Sequence, residues 1–230
     1  MSVNKSVLID SCSKFMSKAS HVTLANNSEF KIAAQKLEKE IKSFDAFKQW
    51  KENELNPKTF DDFAVDWIFL CDLLNFSFWK DEKEPSFEVE FNGKIYKSYW
   101  SLPATLNKSK FLVDPKFYSK ITLTEFDQIF NPKIPLKFER IKLMNESGKV
   151  LIENYNGTFS NFLKRVGTED AWHFINHLIK EFPSFKDFDD KNSVWFLKRA
   201  QILVADLWAA SEGKLFTESI KDLTIFADYR

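Results

Sequence analysis

The run DDFAVDWIFLCDLLNF, from Asp61 to Phe76, places the strongest constraint on the fold. It has the length of a helix and is apolar on several faces rather than along one stripe. Such a helix has to be enclosed by other elements, so it belongs at the centre of the molecule. Thr59 stands where a cap is expected. Asp61 and Asp62 would then fall in the first turn, where the helix dipole favours negative charge.

The material to enclose it is aromatic: the 230 residues include 25 Phe, 7 Trp and 5 Tyr. A chain of this length buries roughly 70% of the surface exposed by its unfolded form, and most of these rings must go into that core. Ser28 to Phe44 reads as an amphipathic helix, with Ile32, Leu37 and Ile41 on one side and Lys and Glu on the other. From Phe87 to Tyr99 the sequence alternates apolar and polar residues about Asn92-Gly93. That pattern predicts a hairpin, because both turn residues need positive φ and Asn-Gly reaches it cheaply. Helical periodicity resumes over Trp100–Lys108, Leu123–Phe130, Leu136–Ser147, Phe159–Val166 and Thr168–Phe182, where Pro183 ends the last. A long helix is predicted from Ser193 to Ser211, with Gly213 as its C′ residue, and LTIFADYR opens a further helix. The expected class is mostly α, one helical domain over residues 1–230 with one small β-hairpin.

Lys plus Arg and Asp plus Glu are both 33, a formal net charge of zero. This argues against a dedicated polyanion binder, which carries a basic excess, and no stable nucleic-acid partner is expected. Cys12 and Cys71 have no zinc-site spacing and do not make a disulfide framework. The N-terminus lacks an apolar stretch of signal-peptide length, and no run approaches the ~20 apolar residues of a membrane span. The expected location is cytoplasmic, with no membrane association.

Most motifs with chemical potential have an ordinary explanation. His173 and His177 are spaced i, i+4, which suits zinc, but no Glu follows the first and no third ligand is evident. They read as surface or packed histidines, and no metal is expected. Asp61-Asp62 is explained by capping and Asp189-Asp190 by a polar loop. No glycine-rich phosphate loop, nucleophile elbow or kinase set is present, and no cofactor is expected. NFSFW, Asn75 to Trp79, and KSYWSL, Lys97 to Leu102, each gather aromatics that serve equally as core or as stacking surface. In FLKRAQILVADLW the Lys198-Arg199 pair is either snorkelled outward or turned inward to an anion, and Asp206 can share that face.

Taken together, the segments DWIFLCDLLNFSFW (Asp66–Trp79), NGKIYKSYWSL (Asn92–Leu102), FPSFKD (Phe182–Asp187), FLKRAQILVADLW (Phe196–Trp208) and LTIFADYR (Leu223–Arg230) resemble the queuosine-salvage family in order and spacing. WKENELNP, Trp50 to Pro57, resembles the family's Trp…Glu-Leu-Asn-Pro stretch. The resemblance implies a helical fold similar to helix-hairpin-helix DNA glycosylases. It also implies hydrolysis of the N-glycosidic bond of queuosine 5'-phosphate, releasing queuine for reuse in tRNA. The family's Phe-x-Asp motif carries over to Phe226 and Asp228, with Asp228 the catalytic carboxylate and Tyr229 beside it. Two departures stand out. Where the family commonly has a ligand-facing His, this chain has Asn53, which hydrogen-bonds but cannot be a cation. The sequence also stops at Arg230, inside a motif, where family members continue with helices that include an Asp-Tyr…Asp segment holding the base. The expectation is therefore a shortened version of the family's chain.

The chemistry then has a definite form. Breaking the C1′–N bond builds positive charge on the ribose, and a fixed carboxylate, Asp228, stabilises it and orients or deprotonates water. Phe226 gives the base an aromatic face, with Phe76, Trp79 and Trp100 as further candidates. Lys198 is the candidate for a contact with the phosphate or with Asp228, and Asp72 for the aminomethyl cation of the base. The alternative reading is a non-catalytic helical module that binds a nucleotide or RNA.

Overall fold

The computed structural model describes residues 2–21, 23, 26–42, 44–78, 87–130, 134–224 and 226. Along the chain come α1 (Lys5–Met16), α2 (Asn27–Ile41), α3 (Ala46–Glu52), α4 (Asp62–Leu73) and a hairpin of β1 (Glu88–Phe91) and β2 (Lys94–Lys97). They are followed by α5 (Ser101–Lys108), α6 (Pro115–Tyr118), α7 (Leu123–Ile129), α8 (Lys137–Tyr155), α9 (Phe159–Val166) and α10 (Ala171–Glu181). A second short antiparallel pair, β3 (Phe188–Asp189) with β4 (Val194–Trp195), precedes α11 (Lys198–Ala210). The fold is mostly helical, as expected. Among the described residues no helix is long and apolar enough to cross a membrane.

α4 lies at the centre. Nine of its twelve residues are buried, and it packs against α5, α8, α9 and α11. Its Phe69 stacks on Phe159 with ring centroids 4.1 Å apart, meets Phe182 edge-on at 5.0 Å and lies tilted against Phe185 at 5.7 Å. Phe162 and Phe174 complete the same cluster. The abundance of phenylalanine is thus spent largely on one interior.

The caps follow ordinary backbone and side-chain chemistry, with two corrections. Asp61, not Thr59, caps α4: its carboxylate accepts the Ala64 N–H at 2.9 Å, while the Thr59 hydroxyl lies 3.1 Å from the other Asp61 oxygen. The hairpin turns at Asn92 and Gly93, with φ of 49° and 74°, as the alternation predicts. α8 continues past the expected end at Ser147 through Gly148. A Cβ there would lie 2.8 Å from the Ser119 backbone, so the missing side chain lets the end of α6 press against the helix. α11 starts at Lys198 rather than Ser193, because Val194 and Trp195 pair with the preceding strand. It ends in a double closure: the Glu212 N–H bonds to Ala209 O and the Gly213 N–H to Trp208 O. This makes Glu212 the C′ residue and Gly213 the one after it. α2 forms with a capping box between Asn26 and Glu29, but its apolar side faces outward, Ile32, Leu37 and Ile41 being exposed.

Asp66 ties α4 to α9. Its carboxylate accepts N–H bonds from Phe159 and Ser160 at 2.6 and 3.2 Å. Burial raises its pKa to about 6, the two backbone bonds pull the other way, and Asp62 and Asp114 add to the rise. A carboxyl whose folded pKa is raised gives stability that is full below the unfolded value and lost as pH climbs through the folded one. A shift of about two pH units corresponds to about 3 kcal/mol. Asp66→Asn keeps an oxygen for both N–H groups and cannot ionise. Urea unfolding should therefore show the variant gaining on the parent as pH rises from about 4 to 7, by on the order of 2–3 kcal/mol. A difference independent of pH would mean that Asp66 is not the strained group.

Candidate active site

Three of the matching segments converge where the end of α4 meets α11 and the exit of the hairpin. α4 brings Cys71 and Asp72, α11 brings Asp206, and the turn after β2 brings Tyr99. Asp72 is completely buried, and neither of its carboxyl oxygens has a hydrogen-bond partner. Burial and the neighbouring Asp206 carboxylate push its pKa well above the usual range, against smaller pulls from the Asn75 amide and the Arg199 guanidinium. Asp206 is half-buried as a residue, and burial of its carboxyl raises it to about 7. The Tyr99 hydroxyl lies 3.8 Å from Cys71 Sγ. Burial raises both groups further, with Asp72 and Asp206 adding to it, so thiol and phenol stay protonated at neutral pH. A buried carboxyl without a donor is rare, because an ionised oxygen in a low dielectric is costly unless paired. At neutral pH this pair of acids therefore holds a proton.

The loop after α4 is held by two arginines. Arg140 is fully buried in α8. Its Nε donates to Pro135 O at 2.9 Å and its Nη1 to Leu74 O at 2.6 Å, while Nη2 reaches the carbonyls of Phe76 and Ser77. Arg199, on α11, donates to Leu73 O at 2.8 Å and to Ser184 O. Both guanidinium groups lie over the Phe76 ring, at 4.3 and 5.1 Å from its centroid. Burial and the nearby Arg199 lower Arg140 to about 9, which leaves it charged at neutral pH. Of the expected Lys198-Arg199 pair, Arg199 is the cation turned inward. Arg140 is the part of the site that sequence reading missed.

A neighbouring cleft of about 470 Å³ is lined by Asn53, Glu54, Leu55, Tyr96 and Trp100, together with Glu52. It joins two expected ligand residues, Asn53 and Trp100. The Asn53 side chain accepts the Leu55 N–H at 3.0 Å, which shapes the loop. Glu54 fixes that loop to β2, accepting from Lys94 at 2.8 Å and from the Tyr96 hydroxyl at 2.7 Å; the Lys94 bond is the main reason its pKa is lowered. Trp100 stands at the lip, 46% exposed, and its ring lies 5.1 Å from that of Tyr99. Tyr99 thus links the cleft to the buried acids.

Lys198 opens α11, half-buried, with its N–H bonded to Asp187 Oδ2 at 3.0 Å. One turn on, the fully buried Gln201 accepts both the N–H and the hydroxyl of Thr224, at 2.8 and 3.0 Å. The chain leading to Phe226 is therefore pinned beside the part of α11 that carries Lys198, and Phe226 itself is half-buried. Trp79, Asp228 and Tyr229 lie outside the described residues. A roomier groove of about 950 Å³ lies between α1 and Trp195, Phe196, Leu223 and Thr224, beside the chain that leads to Phe226, and Lys5 and Cys12 add polar groups to its largely apolar lining. The rings of His173, exposed, and His177, half-buried, lie tilted against each other on α10 with centroids 4.3 Å apart. No group of three or more His, Cys, Asp or Glu is placed to hold a metal ion among the described residues.

Comparison with known proteins gives this arrangement a context. The family model described as "Queuosine salvage protein" matches residues 55–230. A protein of Schizosaccharomyces pombe named queuosine 5'-phosphate N-glycosylase/hydrolase is 39% identical over 206 residues, 80% of this chain and 59% of the relative. Proteins of the same name from Bos taurus and Sphaerobacter thermophilus are 39% and 35% identical over 79% and 72% of this chain, and 57% and 53% of their own lengths. The chain thus spans less than three-fifths of these relatives. With the family match covering the acid pair, the arginine clamps and the Phe226–Asp228 motif, the chain belongs to the queuosine salvage protein family.

Proposed function

We propose that this chain hydrolyses the N-glycosidic bond of queuosine 5'-phosphate, releasing queuine, in the cytoplasm and without a cofactor. The observation that carries the reading is the match to relatives from a fungus, a mammal and a bacterium that share one name. The acid cluster at the meeting of α4 and α11, with an exposed tryptophan nearby, suits the reaction. A flat base needs an aromatic face, and the leaving base and the ribose each need an acid or a carboxylate.

In this mechanism Asp228 lies beside C1′, stabilises the positive charge that grows on the ribose and takes the proton of the attacking water. Phe226 stacks on the base, and Tyr229 closes the same motif. Trp79 and Trp100 add aromatic surface, Asn53 a hydrogen bond, and Lys198 meets the 5'-phosphate at the start of α11. Phe76, gripped by the two arginines, shapes the floor. Incubation of the protein with queuosine 5'-phosphate should yield free queuine and ribose 5-phosphate by mass spectrometry. Binding of tRNA without base release would favour the non-catalytic module instead. Phe226→Ala should raise KM about tenfold or more, because stacking on an aromatic contributes roughly 1–3 kcal/mol per base. An unchanged KM would make Phe226 a packing residue alone.

A further inference from the structure

We propose that Gln201 is a positioning residue for the hydrolysis, fixing the spacing between the phosphate contact at Lys198 and the base contact at Phe226, an inference that rests on the hydrolase reading. A nucleotide is held at two ends, and the bond that breaks lies between them. Contacts to the phosphate help the chemistry at C1′ only if they stand at a fixed spacing from the groups around the base. Here the two contacts lie on separate segments. Lys198 opens α11, whereas Phe226 follows Leu223 on the chain beyond the end of that helix at Ala210.

Gln201 joins the two segments. It is completely buried near the start of α11. Its Oε1 accepts the N–H and the hydroxyl of Thr224 at 2.8 and 3.0 Å, and its Nε2 donates to the Phe196 carbonyl at 3.5 Å. Phe196 stands two residues before Lys198, and Thr224 two residues before Phe226. One amide thus reaches both segments at the same remove from their ligand residues. Phe196 and Thr224 also line the groove of about 950 Å³ beside α1, so the amide ties together two parts of its wall. Between Phe196 and Lys198 the backbone is held in a demanding shape. Leu197 has φ of 51°, a left-handed conformation that a leucine keeps only where its surroundings impose it. Its side chain is buried, and the next N–H is bonded to Asp187.

Core packing alone does not ask for a glutamine here. The neighbouring buried positions of α11 are Ala200, Leu203 and Val204, and a polar side chain among them is costly unless it is bonded. Nor does the amide suit a direct part in the chemistry, because it is sealed from solvent and its oxygen is engaged by Thr224. It acts through the segments that it holds.

The test is a double-mutant cycle on kcat/KM for queuosine 5'-phosphate, read as queuine release. Gln201→Met nearly keeps the side-chain volume and drops its hydrogen bonds. It should lower kcat/KM about tenfold or more, the scale of a small misplacement of reacting groups. In a Lys198→Ala background a substrate held only at the base follows the Phe226 segment, so the same change should cost less than about twofold. The same factor in both backgrounds would overturn the proposal and make Gln201 a packing residue. Thr224→Val and Thr224→Ser keep the question open to test if Gln201→Met does not fold. The valine removes only the hydroxyl bond and should cost about fivefold when Lys198 is present, while the serine restores the bond and a rate close to the parent's. Equal rates for these two variants would also overturn the proposal. A parent that releases no queuine takes the hydrolase reading down with it, whereas an active parent with independent losses removes the role of Gln201 alone.

Discussion

Arg140→Ala is expected to cost about 3–5 kcal/mol, the range for breaking a buried charged network. The residue is inaccessible to solvent, and its guanidinium donates to the carbonyls of Pro135, Leu74, Phe76 and Ser77. Removing it leaves buried acceptors without donors, each of which costs about 1–3 kcal/mol, though such costs do not add fully. It also opens a cavity beside Phe76 and Phe78, whose rings face the guanidinium at 4.3 and 5.1 Å. Arg140→Lys should recover little, because an ammonium cannot span four carbonyls as a planar fork does. Urea unfolding of both variants tests this. A lysine variant within about 1 kcal/mol of the parent would show that charge alone, not the fork, holds the loop.

The second large effect is on chemistry. Asp228→Asn should reduce kcat by about 10²–10⁴-fold at unchanged stability. An amide keeps the shape of the carboxylate, but it cannot oppose growing positive charge on the ribose or accept the proton of water. It should slow both the natural substrate and a nitrophenyl ribofuranoside 5-phosphate, because both pass through the same charged ribose. Steady-state kinetics on the two substrates checks this, and near-parental rates on both would remove Asp228 from the reaction.

Local chemistry in the sequence carried much of the fold. The apolar run of α4 predicted its central place, Asn92-Gly93 its hairpin, and Pro183 the end of α10. What stayed hidden was long-range. Nothing in the periodicity says that Arg140 reaches carbonyls 63 to 66 residues away. Nor does it say that α4 packs on α11 so that Asp72 feels the Asp206 carboxylate, although Asp206 was visible as an inward candidate. Val194-Trp195 looked like the start of α11 because the pairing that makes it a strand lies in a partner segment of two residues. α1 went unread although Asn4 precedes it as a cap, accepting the Val7 N–H at 3.0 Å. α2 shows the reverse: its amphipathic pattern was correct, but the pattern does not specify what covers the apolar side.

The most direct test of the hydrolase reading is to run the reaction in heavy-oxygen water. The protein should release queuine from queuosine 5'-phosphate and place one labelled oxygen on C1′ of the ribose 5-phosphate, with both products formed about 10²-fold or more slower by Asp228→Asn. Intact substrate after incubation with a folded, substrate-binding parent would contradict the account and leave a nucleotide-binding module in its place.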